Sequence, residues 1–325
     1  MNSAPSPLQP KQSGVTIRFV REEELPTVDR IFRLAFGTFL GLPDPMKFLG
    51  DADYARTRWI ADPSAVFGAE LAGELVGANF ATRWGSVGFF GPLAVRPDLW
   101  DRGIAQRLLA PTMDLFDRWG IRHAGLFTFP SSAKHVALYQ KFGFWPRFLT
   151  ALMERPVSAG AKSAEWTRFS ELSTHEKHSV LRVCHGLTSS IFDGLDLQRE
   201  IQAVDDQHLG DTVLTWHGDQ LAGLAVCHVG TGTEAGSGKC YVKFGAVRGG
   251  PNARSEFRRL LETCGEFARS QGAGKLIGGV NLARLDAYRE MLAAGFRTTT
   301  QGIAMERDAL PGYNRPEVFV IDDWR

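Results

Sequence analysis

The chain is poor in cysteine and has no long apolar stretch. Its 325 residues include four cysteines, none of them in a Cys-x-x-Cys pair: Cys184, Cys227, Cys240 and Cys264. This spacing argues against a disulfide framework or a zinc site, so we expect buried thiols, a reducing cytoplasm and no bound metal. No apolar run approaches the ~20 residues that span a bilayer. Residues 1–14 lack the features of a signal peptide and are predicted to form a flexible leader.

An excess of charge is also missing. The formal net charge is +1 at pH 7, and no run of Lys and Arg marks a basic patch. We therefore expect neither a nucleic acid nor a membrane surface as a partner. The sequence has no G-x-G-x-x-G fingerprint and no Gly-Lys-Ser/Thr phosphate loop. These absences argue against a nucleotide-binding oxidoreductase and a P-loop enzyme.

What the sequence does contain is an internal repeat. Positions 95–144 match positions 247–296 without a gap, at a constant offset of 152. The identical residues fall in helices or at the ends of predicted elements: Val95, Arg107-Leu108-Leu109, Gly120 and Gly143-Phe144 recur as Val247, Arg259-Leu260-Leu261, Gly272 and Gly295-Phe296. We interpret this pattern as the duplication of a supersecondary unit.

The repeat gives the predicted domain organisation. A segment rich in Gly, Ala and Ser at 157–164 is the predicted linker. It separates an N-terminal domain at 15–156 from a C-terminal domain at 165–310. A tail follows at 311–325, and its apolar alternation predicts that it docks on a domain. The predicted order β-α-β-β-β-α-β-α-β in the first domain, with its core repeated in the second, indicates an α/β fold: two mixed sheets with helices on both faces.

One turn in the first domain has the pattern of a phosphate-binding site. A largely apolar strand, 87–95, is followed by Arg102-Gly103-Ile104-Ala105-Gln106 at the start of a predicted helix. Small residues at such a turn let the backbone approach a phosphate, and the first N–H groups of the helix point at it. Many strand-to-helix turns contain a glycine, so this segment alone leaves a purely structural interpretation open.

A second motif gives this turn a specific meaning. Val95-x-Pro97 and Arg102-Gly103-Ile104-Ala105, together with Leu138-Tyr139-Gln140-Lys141-Phe142-Gly143-Phe144, resemble the two signatures of the GNAT (GCN5-related N-acetyltransferase) superfamily. The sequence departs from the family pattern at Trp100, where Gln or Arg is usual, and at Ser132, where Asn is common. The resemblance covers the first domain, and the repeat extends it to a tandem of GNAT-like folds.

The resemblance implies transfer of an acetyl group from acetyl-CoA to an amine. In this family the backbone near Leu93 and Val95 would pair with the pantetheine arm, and the amides from Arg102 to Gln106, which include those of Gly103, Ile104 and Ala105, would hold the pyrophosphate. Ser132 would complete the cofactor site, and Tyr139 would donate a proton to the departing thiolate. The offset places Ser255 and Phe257 where the first copy has Gly103 and Ala105, so we expect the second copy to be degenerate.

Several alternatives stay open at this level. A tandem GNAT scaffold can also bind CoA or another ligand without turnover, or transfer a different acyl or aminoacyl group. The acceptor is either a small-molecule amine or the amine of a protein or peptide, and the oligomeric state is unknown. No general base can be named, because strand 87–95 has no carboxylate and both His123 and His135 are compatible with structural roles. Residues 37–58 either line an apolar pocket or pack on the sheet.

Overall fold

The structure, a computed structural model, describes residues 14–157 and 165–325. The predicted leader apart from Gly14, and the predicted linker apart from Val157, lie outside these ranges. The N-terminal half contains β1 (Val15–Phe19), α1 (Leu25–Phe39), α2 (Tyr54–Ala61), β2 (Val66–Leu71), β3 (Glu74–Trp84), β4 (Val87–Val95), α3 (Ile104–Trp119), β5 (His123–Thr128), α4 (Ala133–Gln140) and β6 (Phe144–Pro156).

The C-terminal half repeats much of this order. It contains β7 (Trp166–Arg168), α5 (Thr174–Ile191), α6 (Gln198–Asp206), β8 (Gly210–His217), β9 (Gln220–Gly230), β10 (Gly236–Val247), α7 (Ala253–Ser270), β11 (Lys275–Asn281), α8 (Leu285–Ala293), β12 (Arg297–Arg307) and β13 (Val320–Ile321).

All of these strands belong to one continuous sheet. Its order is β1-β2-β3-β4-β5-β12-β6-β11-β10-β9-β8-β7, and β13 pairs with β10 off this path. The pairs β4–β5 and β10–β11 are parallel, whereas the other neighbours are antiparallel. The predicted α/β class with mixed sheets is therefore confirmed.

The two halves exchange their last strands. β6 follows α4 in the chain, but it pairs with β11 from Thr150↔Asn281 to Pro156↔Lys275. β12, its counterpart in the second repeat, pairs with β5 from Gly125↔Glu306 to Thr128↔Ile303 and also with β6. The alternation of apolar and polar residues in a sequence identifies a strand, but it does not identify the strand beside it in the sheet. Because β6 and β12 are copies of one element, either strand can take the last strand position in either half. A domain boundary at 157–164 therefore does not divide the sheet.

The ends of the elements follow the 152-residue offset. β4 ends at Val95 and β10 at Val247. Gly120 follows α3 with φ 66°, and Gly272 follows the C-cap of α7 with φ 70°. This left-handed conformation strains any residue that has a Cβ atom, which explains why both helices stop at glycine. α7 is an exception at its start, since it begins at Ala253 and so extends further toward its N-terminus than α3.

Helices cover both faces of the sheet, as predicted. In the N-terminal half, α3 and α4 pack on one face and α1 and α2 on the other. In the C-terminal half, α7 and α8 share one core and α5 and α6 the other. Leu108 and Leu109 of α3 are fully buried, and each such side chain contributes about 1.5–3 kcal/mol. Packing therefore fixes the position of α3 and of the turn before it.

The structure also bears on what the sequence predicted for the cysteines and for membrane-spanning segments. All four cysteines are buried and unpaired. Within the parts of the chain that the structure describes, no helix combines the length and the apolar character needed to cross a membrane.

Candidate active site

β4 and β5 separate near the middle of the sheet. They pair at Val87↔His123, Gly88↔Ala124 and Phe89↔Gly125. Beyond these positions the register of β4 to β3 shifts from Phe90↔Ala81 to Leu93↔Asn79, which leaves one extra residue at Gly91–Pro92. A bulge of this kind bends the strand that carries it. The second part of β4 therefore diverges from β5 and leaves a gap in the sheet.

The backbone of Leu93 and Val95 faces this gap. Arg96 N donates to Val76 O of the neighbouring strand at 2.9 Å. Because the N–H and C=O groups of successive antiparallel residues point to opposite sides, those of Leu93 and Val95 point away from β3. The Val95 carbonyl accepts a hydrogen bond from Trp100 Nε1 at 2.8 Å. This part of β4 is thus a strand edge on which an extended ligand can add.

α3 begins at the mouth of the gap. Gly103 precedes its first residue with φ 76°, and the first helical bond runs from Arg107 N to Gly103 O at 3.2 Å. The N–H groups of the first turn, at Ile104, Ala105 and Gln106, have no partner within the helix. Together with the positive end of the helix dipole, these groups favour a bound phosphate.

A single cavity of about 710 Å³ joins the gap, the start of α3 and a space on the opposite face of the sheet. It brings together seven of the nine predicted site residues: Leu93, Val95, Gly103, Ile104, Ala105, Gln106 and Tyr139. The other two do not line it. Arg102 is exposed, and Ser132 is a buried residue at the N-cap of α4.

Tyr139 lies on the α3 side of the sheet. Its side chain is buried, and its ring centroid is 5.7 Å from that of Phe90 in β4. Burial raises the pKa of the Tyr139 hydroxyl to about 12, against a smaller opposite effect of a hydrogen bond with Thr128. The hydroxyl is therefore protonated at neutral pH, which is the state that a proton donor requires.

The mouth of the cavity carries charged side chains of both signs. Lys134 Nζ lies 5.1 Å from the centroid of the Trp100 ring and 3.1 Å from Asp101 Oδ1. The cations that line the whole cavity outnumber the anions: Lys134, Lys141, Lys239 and Arg325 against Asp101 and Glu154. This balance favours an anionic ligand such as a nucleotide phosphate.

The sequence left open whether residues 37–58 line an apolar pocket or pack on the sheet, and the structure shows both kinds of contact in and next to this segment. The residues of this segment that line the cavity include Phe39, Leu40, Phe48, Leu49 and Tyr54. Trp59, just beyond it, packs against the core and donates its indole N–H to Val20 O at 2.9 Å. Arg33 of α1 holds the segment in place, because its guanidinium donates to the carbonyls of Phe48 and Ala52, each at 2.7 Å.

Sequence reasoning missed the part of the cavity that other elements supply. The strands around the exchange contribute Leu152, Glu154, Lys239, Ile277, Thr299 and Thr300. The end of the tail contributes Trp324 and Arg325. α2, which contributes Tyr54, was missed because its eight residues show no clear apolar period. No local pattern marks these residues, since the strand exchange and the docking of the tail bring them to the cavity.

A buried network of charges joins the two halves beside the cavity. The Nε and Nη2 atoms of Arg58 each lie 2.9 Å from the Glu234 carboxylate. Lys243 Nζ lies 2.8 Å from both Glu234 and Glu200. Burial alone would raise the pKa of the Glu200 carboxyl, but Lys243 holds it at about 2. Arg58 also donates to the carbonyls of Gly91, at 2.6 Å, and of Arg325. The network therefore ties the β4 bulge and the tail to the C-terminal half.

In the second repeat, the tail fills the gap that corresponds to the one beside β4. β13 pairs with β10 at Ile321↔Gly245 and Val320↔Ala246, and the offset assigns these β10 positions to Leu93 and Ala94. Phe319 packs against the fully buried Phe257, with ring centroids 5.3 Å apart. The edge that is open in the first copy is thus paired with the protein's own chain in the second.

The two histidines named above have different surroundings. Among the described residues, neither ring nitrogen of His123 finds a hydrogen-bond partner, and burial lowers the pKa of His123 to about 4. His135 lines the cavity beside Phe39, and burial lowers its pKa as well. Across residues 14–157 and 165–325, no three His, Cys, Asp or Glu side chains lie close enough together to hold a metal ion.

Known proteins resemble this chain in sequence pattern and in fold. Residues 28–144 match the acetyltransferase (GNAT) family. The chain is similar in structure to a putative acetyltransferase from Pyrococcus horikoshii (15% identity, 99% of this chain and 98% of that chain covered, TM-score 0.69). It is also similar to a GCN5-related N-acetyltransferase from Sphaerobacter thermophilus (14% identity, 94% and 98% covered, TM-score 0.60). No curated protein matches the chain. At these identities the likeness shows the fold, and it extends over both halves.

Proposed function

We propose that the chain transfers an acetyl group from acetyl-CoA to a primary amine, starting from the match of residues 28–144 to the acetyltransferase (GNAT) family. The observation that carries the proposal is the cavity that crosses the sheet at the β4–β5 gap. It has the start of α3 and Tyr139 on one face and an apolar space on the other. Donor and acceptor can therefore approach the gap from opposite sides.

The cofactor would be held mainly by backbone groups. The pantetheine arm would add to the edge of β4 at Leu93 and Val95, and the pyrophosphate would accept hydrogen bonds from the first amides of α3, between Arg102 and Gln106. Because backbone amides make these contacts, Trp100 can replace the usual Gln or Arg without removing the site. Ser132 does not line the cavity, so its role in cofactor binding needs a movement at the start of α4.

The reaction would be a direct transfer. The amine nitrogen attacks the thioester carbonyl carbon, so that the C–N bond forms and the C–S bond breaks. The departing CoA thiolate takes a proton from the Tyr139 hydroxyl, and the proton that the amine loses returns to Tyr139 through solvent. The acceptor would be the amine of a small molecule or of a protein or peptide. The unpaired thiols are consistent with the predicted cytoplasmic location.

The asymmetry of the two copies gives the first test. In Ala105→Phe, a bulky ring at the start of α3 should remove about two charge-assisted hydrogen bonds to the pyrophosphate, worth roughly 3–6 kcal/mol. The affinity for CoA should fall on the order of a hundredfold or more. Phe257→Ala is the matched control, because Phe257 lies in the copy whose gap the tail fills. Calorimetry should give one CoA per chain in the wild type and in the control, and two equal sites would contradict the proposal.

Turnover is tested with a panel of amines. Release of CoA from acetyl-CoA would be followed with alkyl and arylalkyl amines, a polyamine and a lysine-containing peptide, and mass spectrometry would identify the product. An acetylated amine whose formation is lost in Ala105→Phe supports the proposal. Binding of CoA with no acetylated product from any class would instead favour a non-catalytic ligand-binding scaffold.

A further inference from the structure

The face of the cavity opposite Tyr139 has an apolar lining. Its aromatic and aliphatic side chains come from α1, the following segment and α2: Phe32, Ala35, Phe36, Phe48, Leu49 and Tyr54. The Tyr54 ring lies under the Arg58 guanidinium at 5.0 Å, and Arg58 is itself paired with Glu234. The cations of this region are thus matched by buried carboxylates, and the space that remains suits an uncharged, apolar body.

Trp324 lies at the point where β4 and β5 part. Gly125 is the last β5 residue that pairs with β4, and a Cβ atom there would overlap the six-membered ring of Trp324. The indole stacks on Phe89, with ring centroids 6.5 Å apart and the planes at 15°. Phe89 and Phe90 are successive strand residues and point to opposite faces. Because Phe90 contacts Tyr139, Trp324 lies on the other face, where the acceptor would enter.

The indole is a fixed wall of the cavity. Its side chain is buried, and its N–H donates to the Tyr313 hydroxyl at 3.2 Å. His123 packs against it with ring centroids 5.5 Å apart. Arg325, the next residue, pairs with Asp323 at 3.0 Å and lies over the Tyr241 ring at 4.2 Å. These contacts hold the end of the tail from several sides, so a ligand meets a rigid surface there.

We propose that Trp324 is the specificity-determining residue of the acceptor site, and that the acceptor is a small primary amine on an alkyl or aromatic body whose length Trp324 limits. This inference rests on the proposed acetyl transfer and deepens it. The apolar lining opposes acceptors with additional ammonium groups, because a second ammonium group would lose its hydration there without gaining a carboxylate partner. The enclosed apolar lining opposes extended polar peptides.

The test is a chain-length profile. Acetylation rates would be measured for linear primary amines from butylamine to dodecylamine and for arylalkylamines, with spermidine and a lysine-containing peptide as the polar comparison. Wild type should prefer the apolar amines, with an optimum at short or intermediate length. Trp324→Ala should shift the optimum to longer amines and lower kcat/KM for the best wild-type acceptor by about 10-fold or more, because it removes contacts with the apolar body. Trp324→Phe should give an intermediate shift.

Phe319→Ala is the matched control. Phe319 is a buried aromatic residue of the same tail, but it packs on Phe257 and does not line the cavity. Both alanine variants should lower the melting temperature, whereas only Trp324→Ala should change the length profile. The KM for acetyl-CoA should stay the same in all variants, since Trp324 lies on the acceptor side.

The outcomes separate this inference from the function on which it rests. An unchanged length profile in both Trp324 variants overturns it, and so does a profile that changes equally in Phe319→Ala. The inference is also overturned if spermidine or the peptide is acetylated and none of the apolar amines is. That result would leave the proposed acetyl transfer intact. Failure of the wild type to bind acetyl-CoA in calorimetry overturns the proposed function itself.

Discussion

Replacement of Tyr139 by phenylalanine tests the proposed chemistry most directly. The change removes one oxygen atom and keeps the ring that packs against Phe90. It also removes a hydrogen bond with Thr128, whose net contribution is about 0.5–1.5 kcal/mol. The melting temperature should therefore change by only a few degrees, at about 2–4 °C per kcal/mol for a domain of this size. CoA affinity should stay the same, because the proposed cofactor contacts are made mainly by backbone groups.

The rate should respond quite differently. A positioned general acid contributes about 10²–10⁴-fold, so kcat should fall by that factor in Tyr139→Phe. Since burial raises the pKa of the hydroxyl to about 12, the acid stays protonated throughout neutral and moderately alkaline solution. The wild-type rate should consequently not fall between pH 7 and about pH 10 through loss of this proton.

The control is Tyr288→Phe in α8. The offset of 152 places Met291, not Tyr288, at the position of Tyr139, and Met291 is fully buried. Steady-state CoA release with the best amine would be measured for both variants as a function of pH. Full activity in Tyr139→Phe, or a large loss in Tyr288→Phe, would refute the assignment. A wild-type decline with a midpoint below about pH 10 that disappears in Tyr139→Phe would show that the hydroxyl titrates earlier than its burial implies.

Two further predictions concern the packing around Trp324. His123 should make stability depend on pH: because burial lowers its pKa to about 4, the folded state stays neutral where the unfolded chain takes up a proton. Its contribution is thus fully present above about pH 6.5 and is lost as the pH falls toward 4, by up to about 3 kcal/mol. Glu306, whose pKa burial raises to about 7, gives the opposite slope. The measurement is therefore the difference in unfolding free energy between wild type and His123→Phe across this range, and a constant difference would contradict the prediction. Gly125→Ala should place a methyl group against the Trp324 indole and displace it, cost about 1–3 kcal/mol in denaturant unfolding, and change the amine length profile; an unchanged profile would show that the indole does not form the wall.

The sequence by itself located most elements of the first repeat and predicted where its site lies. Periodicity located β4 at Val87–Val95 and the helix that stops at Gly120, because the local spacing of apolar residues indicates which faces of an element are buried. The glycines at 120 and 272 marked equivalent turns, because a left-handed φ tolerates few other residues. The motif around Gly103 and the one around Tyr139 pointed to the same cavity, which the structure shows them to share.

Only the tertiary structure decided which strands are neighbours and what encloses the site. β6 and β12 carry equivalent patterns, so the sequence had no means to assign them to one half or the other, and the exchange became visible only in the pairing. The alternation of apolar residues in the tail predicted that it docks, but not where. An apolar face favours burial against any apolar surface and does not select one. The tail's position beside β10 and at Gly125, and with it the role of Trp324, depends on the shape of two gaps that form only when the whole sheet is assembled.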